Sequence, residues 1–241
     1  MSTIVSAFIY EKKDNCKTFD EYYNYSKYLL ECDVNKIIFL GEKMYNFIIE
    51  NSIINKKNTH LICVKKEHFY LFNMIDKITN FKKSNNKDTL IYMITMCLKS
   101  NFVIKAIELD TYNSNQFIWI DFGIKHVCNI SQNAFNKYIY ELSNKTYDKN
   151  IRIAGIWNIN KKYNLDILKD VHCYFAGGVF GGNKENLLLF DNLMKNKCLE
   201  IINKYNTLTW EVNIWYIIWK ENPHIFDIYK CNHNTSIISN Y

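Results

Sequence analysis

The sequence predicts an α/β fold, a parallel sheet with helices on its faces, and three observations carry that expectation. Apolar, β-branched runs at 3–9, 36–40 and 60–64 alternate with stretches of helical periodicity, giving strand, helix, strand, helix, strand. The run 117–120, Phe-Ile-Trp-Ile, has the length and make-up of a strand buried on both faces, and it ends in Asp121. No internal repeat or low-complexity linker interrupts the 241 residues, so the chain reads as one continuous domain, 1–241, long enough to bury a substantial core.

After the first strand, Thr18-Phe19-Asp20-Glu21 has the spacing of a capping box, and Phe19, Tyr22, Tyr23, Leu29 and Leu30 keep one helical face toward a core. Gly41 stops the second strand, a short helix near 43–50 follows, and the third strand opens at His60. Residues 67–81 and 88–108 carry the periodicity of two more helices, and the polar break 83–88 between them is short enough to be a loop. The second of these helices holds Lys99. A weaker helical signal at 131–142 precedes a strand at 151–157 containing Arg152, the only arginine in the chain. Asn183 is placed to cap a helix carrying Leu187, Phe190, Met194, Cys198 and Ile201 along one side. Thr209 is placed to cap a very apolar helix holding three of the five tryptophans; Pro223 ends it, and 225–229 reads as a last strand.

Composition narrows the class. No stretch approaches the roughly 20 apolar residues of a membrane span, and the amino terminus lacks the basic flank and apolar core of a secretory signal, so a soluble cytoplasmic protein is expected. Eight cysteines occur with no Cys-x-x-Cys pair, which fits buried thiols better than a zinc site or a disulfide framework. The net charge of +6 is nearly all lysine, in an Asn-, Ile- and Tyr-rich sequence poor in Arg and Pro. The pairs 56/57, 65/66 and 82/83 are therefore expected to be solvated faces and not a phosphate-tracking patch.

Four stretches hold residues suited to chemistry. Asp121, followed by Gly123, stands at the carboxyl end of a buried strand, where open α/β sheets place ligands; it could equally satisfy backbone amides there. Four of the seven glycines fall within 177–182, and the interleaved Val179 and Phe180 argue for a packed segment of close backbone approach more than for a hinge. Glu211 shares a helical face with Ile214, Trp215 and Ile218, so its carboxylate is partly desolvated; a first-turn glutamate is also favoured by the helix dipole. His233 follows the last strand and is a candidate metal ligand in a chain that already offers a strand-end aspartate.

Together, Trp-Ile-Asp-Phe-Gly-Ile at 119–124, Ala-Gly-Gly-Val-Phe-Gly-Gly at 176–182, Thr-Trp-Glu-Val-Asn-Ile-Trp at 209–215 and His233 resemble the HtrL/YibB (WlaTC/HtrL) glycosyltransferase family, a likeness that begins with Thr-Ile-Val-Ser-Ala-Phe at 3–8. The resemblance implies a GT-A-like, Rossmann-related fold with a mixed, mostly parallel central sheet flanked by helices. It implies a nucleotide-binding half over about 1–124 and an acceptor half over about 125–241. It also implies transfer of a sugar from a nucleotide-sugar donor, a UDP-sugar first among them, to a hydroxyl of a glycan, glycoprotein or small acceptor. Asp121-Phe122-Gly123 would stand for the Asp-x-Asp motif with one carboxylate, and Asp121 and His233 would hold Mn²⁺ or Mg²⁺. A divalent ion neutralises the leaving diphosphate, and an imidazole ligand tilts the choice toward Mn²⁺. Ala7, Phe8 and Tyr10 would lie beside the base and ribose, with Lys99 and Arg152 as fixed cations on phosphate. Glu211 would stabilise an oxocarbenium-like transition state or act as base, with Trp210 and Asn213 shaping the sugar pocket and Gly177 and Gly178 letting the backbone approach.

Two other classes stay open at this level: a carbohydrate-binding or interaction module without turnover, motivated by the missing second aspartate, and a nucleic-acid processing enzyme, which would bind DNA or RNA with steep salt dependence.

Overall fold

Each apolar run assigned to a strand pairs into one sheet. The computed structural model, which describes residues 1–10, 17–51, 57–82, 88–163 and 166–241, contains β1 (Thr3–Phe8), β2 (Lys36–Gly41), β3 (Thr59–Val64), β4 (Gln116–Ile120), β5 (Ile151–Gly155), β6 (Phe175–Asn183) and β7 (Phe226–Lys230). Their order is β3-β2-β1-β4-β6-β5-β7. β1 is parallel to β2 and β4, β2 to β3, and β5 to β7, whereas β6 runs antiparallel to both β4 and β5. The sheet is thus mixed and mostly parallel, the architecture expected of a GT-A-like fold.

Helices α1 (Phe19–Leu30), α2 (Glu42–Glu50), α3 (Leu90–Cys97), α4 (Lys99–Leu109), α5 (Gln132–Ser143), α6 (Lys184–Tyr205) and α7 (Glu211–Glu221) flank it. Strand alternation sorts the core. Val5, Phe117, Trp119 and Phe180 pack with Phe102 of α4, Phe190 of α6 and Trp215 of α7. Their neighbours Ile4, Ile118 and Ile120 pack on the opposite face with Phe135 and Ile139 of α5. The α1 capping box forms, with Thr18 and Glu21 exchanging bonds, and the Asn183 side chain caps α6 through the amide of Asn186.

Three local expectations are corrected. The segment 67–81 is not one helix but two 3₁₀ turns, Lys66–His68 and Phe72–Lys77, because Phe69 between them is extended and seats its buried ring 4.6 Å from that of Phe102. The helix expected over 88–108 breaks at Leu98 into α3 and α4 with a 48° bend; one turn earlier the Thr95 hydroxyl donates to the Ile91 carbonyl, a bond that bends helices. The glycine-rich stretch is packed with close backbone approach, as expected, and forms strand β6 between β4 and β5; at Gly181 a β-carbon would collide with the Phe117 carbonyl and the Tyr241 hydroxyl. Thr209 does not cap α7: its hydroxyl donates to the Ile167 carbonyl and accepts from Asn213 Nδ2.

Cys32, Cys97, Cys128, Cys198 and Cys231 are buried free thiols, as expected, while Cys16, Lys56 and the break 83–87 lie outside the described residues. Among the described residues no single helix is long and apolar enough to cross a membrane.

Candidate active site

Successive parallel connections run from β1 to β2 to β3 on one side, and the chain then crosses back to place β4 on the other side of β1. The carboxyl ends of β1 and β4 therefore splay apart at a topological switch point, where open sheets bind ligands. A cleft of about 130 Å³ lies there, walled by Ala7, Phe8 and Ile9 at the end of β1, by Asp121, Phe122 and Gly123 after β4, and by Thr89, Tyr92 and Thr95 of the α3 region. Tyr22, Lys17 and His126 close the remaining side.

Asp121 lies past the last β4–β6 pair, its amide donating to the Gly178 carbonyl at 3.0 Å. It shares strand parity with Trp119 and so faces α4. Its Oδ1 accepts from the indole Nε1 of Trp119 at 2.7 Å and lies 2.9 Å from Lys99 Nζ; 29% of the side chain remains exposed. Lys99, at the start of α4 just past the bend, is 2% exposed. It also donates to Glu211 Oε1 and to the Gly177 carbonyl, each at 2.9 Å. An ammonium has three hydrogens, so these acceptors use all of them. Burial works to lower the Lys99 pKa, but the charges of Asp121 and Glu211 outweigh it and hold the ammonium above the usual lysine value.

Glu211, 4% exposed at the first turn of α7, gives Oε1 to Lys99 while Oε2 is buried without a hydrogen-bond partner among the described residues. Gly177 must be glycine here, since a β-carbon would strike Glu211 Oε1 and press on Lys99 Nζ. Tyr92 lines the cleft within the electrostatic reach of both carboxylates. Burial first, then the charges of Glu211 and Asp121, push its phenol well above the ordinary value, so it is a neutral hydroxyl.

The structure gathers Asp121, Lys99, Glu211 and Gly177 into one cluster and brings Ala7 and Phe8 to the cleft beside it, whereas Gly178 makes way for Ile124 on the opposite face of the sheet. Tyr10 lines an adjoining groove with Lys43 and Lys65. Trp210 packs edge-to-face on Tyr92, with ring centroids 5.8 Å apart. Asn213 is fully buried and brackets the backbone before β6: Oδ1 accepts from the His172 amide, and Nδ2 donates to the carbonyls of Ile167 and Asp170. Its polar atoms are thus committed to the protein, a correction to its expected place in a sugar pocket.

Arg152 stays apart from the cluster, a correction to its expected phosphate role. It is level with Gly181, and alternation along β5 turns it to the sheet face opposite α4. There Asp227 pairs with it at 2.8 Å, and the rings of Tyr147 and Tyr229 cover it at 5.0 and 4.8 Å. His233, exposed beyond β7, lies at the same end of the sheet as Asp121, and both act electrostatically on His126.

Sequence reasoning missed Lys17, Tyr22, Tyr92 and His126 as cleft residues. His126 lies five positions after Asp121, and that proximity was a usable signal; the other three reach the cleft only through packing. His126 Nδ1 is 2.6 Å from the Gly123 carbonyl. Burial, helped by the charges of Lys17 and His233, lowers its pKa despite that bond and the carboxylate of Asp121.

Among the described residues no cluster of three or more His, Cys, Asp or Glu side chains is arranged around a common point. Asp121 and His233, the metal ligands expected from the sequence, belong to no such cluster.

A family model described as "Bacterial protein of unknown function (HtrL_YibB)" matches residues 2–235. Protein HtrL of Escherichia coli (strain K12) is 22% identical over 225 residues, covering 88% of this chain and 78% of that protein. Among solved structures, mouse xyloside xylosyltransferase 1 in its apo form is 10% identical, with 95% of this chain and 85% of that chain covered and a TM-score of 0.47. A glycosyltransferase involved in glycosylating the major capsid of PBCV-1 is 12% identical, with 95% and 80% covered and a TM-score of 0.45. Rv0371c of Mycobacterium tuberculosis H37Rv in complex with manganese is 7% identical, with 95% and 87% covered and a TM-score of 0.40.

Proposed function

This chain belongs to the HtrL_YibB family, and from that membership and the geometry of its cleft we propose that it is a metal-dependent glycosyltransferase that moves a sugar from a nucleotide donor, a UDP-sugar first among candidates, to an acceptor hydroxyl. The observation that carries the reading is the Asp121–Lys99–Glu211 cluster at the switch point: two carboxylates on one buried ammonium, the outer one open to the cleft and the inner one covered. A structural ion pair would need neither the open cleft nor a glycine cut away to admit it.

In this reading Ala7 and Phe8 hold the base and ribose against the end of β1, and Tyr10 extends that wall. Asp121 and His233 would hold a divalent cation, which neutralises charge on the leaving diphosphate when bound. Lys99 positions both carboxylates and excludes water between them. Glu211 offsets positive charge developing on the sugar, with Oε2 the oxygen left for that role, and Gly177 keeps the face of β6 bare beside it. Asn213 and Trp210 act at one remove, by fixing the backbone before β6 and the position of Tyr92.

The test is turnover of a panel of UDP-, GDP- and CMP-sugars with Mn²⁺. At least one donor is expected to be consumed, and Asp121→Asn should slow it by roughly 10²-fold or more, the size typical of removing one preorganised electrostatic group. No turnover with any donor, together with sugar binding indifferent to Asp121→Ala, would leave a non-catalytic carbohydrate-binding module as the reading.

A further inference from the structure

A sugar beside Asp121 and Glu211 meets oxygens that only accept. A carboxylate carries no hydrogen, and Lys99 spends its own on these two groups and on the Gly177 carbonyl. A sugar hydroxyl both donates and accepts, so a pocket that recognises one needs a donor next to those acceptors. The α3 wall of the cleft carries three hydroxyls, Thr89, Tyr92 and Thr95. Thr95 gives its hydrogen to the Ile91 carbonyl at 2.8 Å, and Thr89 holds the start of α3 by accepting from the Tyr92 amide at 3.1 Å. Tyr92 is half-buried, and among the described residues its hydroxyl has no hydrogen-bond partner.

The position of that hydroxyl is fixed from two sides. The Thr89 cap anchors the backbone of Tyr92, and Trp210 meets the ring edge-to-face with centroids 5.8 Å apart. Trp210 immediately precedes Glu211, so Tyr92 stands where the α3 wall meets the start of α7. After burial, the charges of Glu211 and then Asp121 bear most strongly on the phenol, which fits a place beside both carboxylates. Packing alone does not account for the oxygen. Phenylalanine would present the same ring to Trp210 without a partly desolvated hydroxyl that lacks a partner, an arrangement that costs stability unless a ligand completes it.

We propose that Tyr92 is a specificity-determining residue for the donor, its hydroxyl donating a hydrogen bond to one hydroxyl of the transferred sugar while the neighbouring carboxylates accept from that sugar. This rests on the nucleotide-sugar reading above.

The test takes the best UDP-, GDP- or CMP-sugar of the donor panel, its monodeoxy analogues and the free nucleotide product, with Mn²⁺ held constant. Tyr92→Phe keeps the ring on Trp210, and a thermal melt confirms that it folds. Its kcat/KM for the parent sugar should fall about tenfold, the size of one neutral hydrogen bond, with the affinity for the free nucleotide unchanged. For the one analogue that lacks the hydroxyl served by Tyr92, wild type and variant should agree, whereas the gap persists for the other analogues. The wild type should itself use that analogue about tenfold less well than the parent. A variant equal to wild type on the parent, a loss of the same size on every analogue, or weakened binding of the free nucleotide overturns the proposal and leaves the nucleotide-sugar reading standing. A wild type indifferent to every deoxygenation overturns it without the variant. A wild type that binds no nucleotide and consumes no nucleotide sugar overturns both.

Discussion

Lys99→Met is the most informative single change, because one ammonium is the partner of two carboxylates at 2.9 Å each. Methionine keeps an unbranched apolar stem, one atom shorter, and removes the ammonium with its charge and its three donors. Asp121, 29% exposed, can turn to water, but Glu211, 5% exposed at the side chain, cannot. Removing one partner of a buried pair typically costs about 3–5 kcal/mol, most of it the uncompensated charge left behind. In a chain of this size each kcal/mol lowers the melting temperature by about 2–4 °C, so a drop of roughly 6–20 °C is expected. The double variant Lys99→Met/Glu211→Gln removes the stranded charge and should be more stable than Lys99→Met alone; urea unfolding of both singles and the double closes the cycle. The pH dependence has a definite sign. Lys99 in the fold titrates above the ordinary 10.5, so its contribution is fully present below that value and is lost only as pH rises through the folded pKa. A Lys99→Met protein within 1 kcal/mol of wild type, or no less stable than the double variant, would show that the cluster is not a coupled buried unit.

Gly177→Ala should destabilise by about 1–3 kcal/mol, the usual cost of forcing extra volume into a packed site, because the new β-carbon meets Glu211 Oε1 and Lys99 Nζ; an unchanged urea midpoint would refute the close approach. Lys36, buried at the start of β2 and donating to the carbonyls of Cys32 and Val34, gives the opposite pH signature to Lys99. Burial pushes it down to about 8 from 10.5, against the raising influence of Cys32 and Asp33. The unfolded chain then binds more protons between those values, so stability should rise with pH across that window. Unfolding at pH 8 and 10 should show the rise in wild type and its loss in Lys36→Met.

Much of the fold was legible locally. The capping box at Thr18 and Glu21, the cap at Asn183 and the strand ending at Asp121 depend on neighbours a few residues away, and each formed as read. The segments that differ from the local pattern, or that no local pattern announces, depend on distant partners. β6 hides behind four glycines with poor strand propensity, and its pairing with β4 and β5 is what makes it a strand. The 3₁₀ turns exist because Phe69 finds Phe102.

The site divides the same way. The sequence by itself determined that Asp121 ends a buried strand, that Glu211 lies on the apolar face of its helix, and that the glycines at 177 and 178 need a cause, because residue type and period of two or 3.6 suffice for those statements. Only the tertiary structure decided that Lys99 joins Asp121 to a Glu211 that is 112 residues away, that Asn213 is a bracket, and that Arg152 faces the other side of the sheet. Those outcomes turn on strand order and on which face each helix covers, and neither is encoded in the spacing of residues along any one segment.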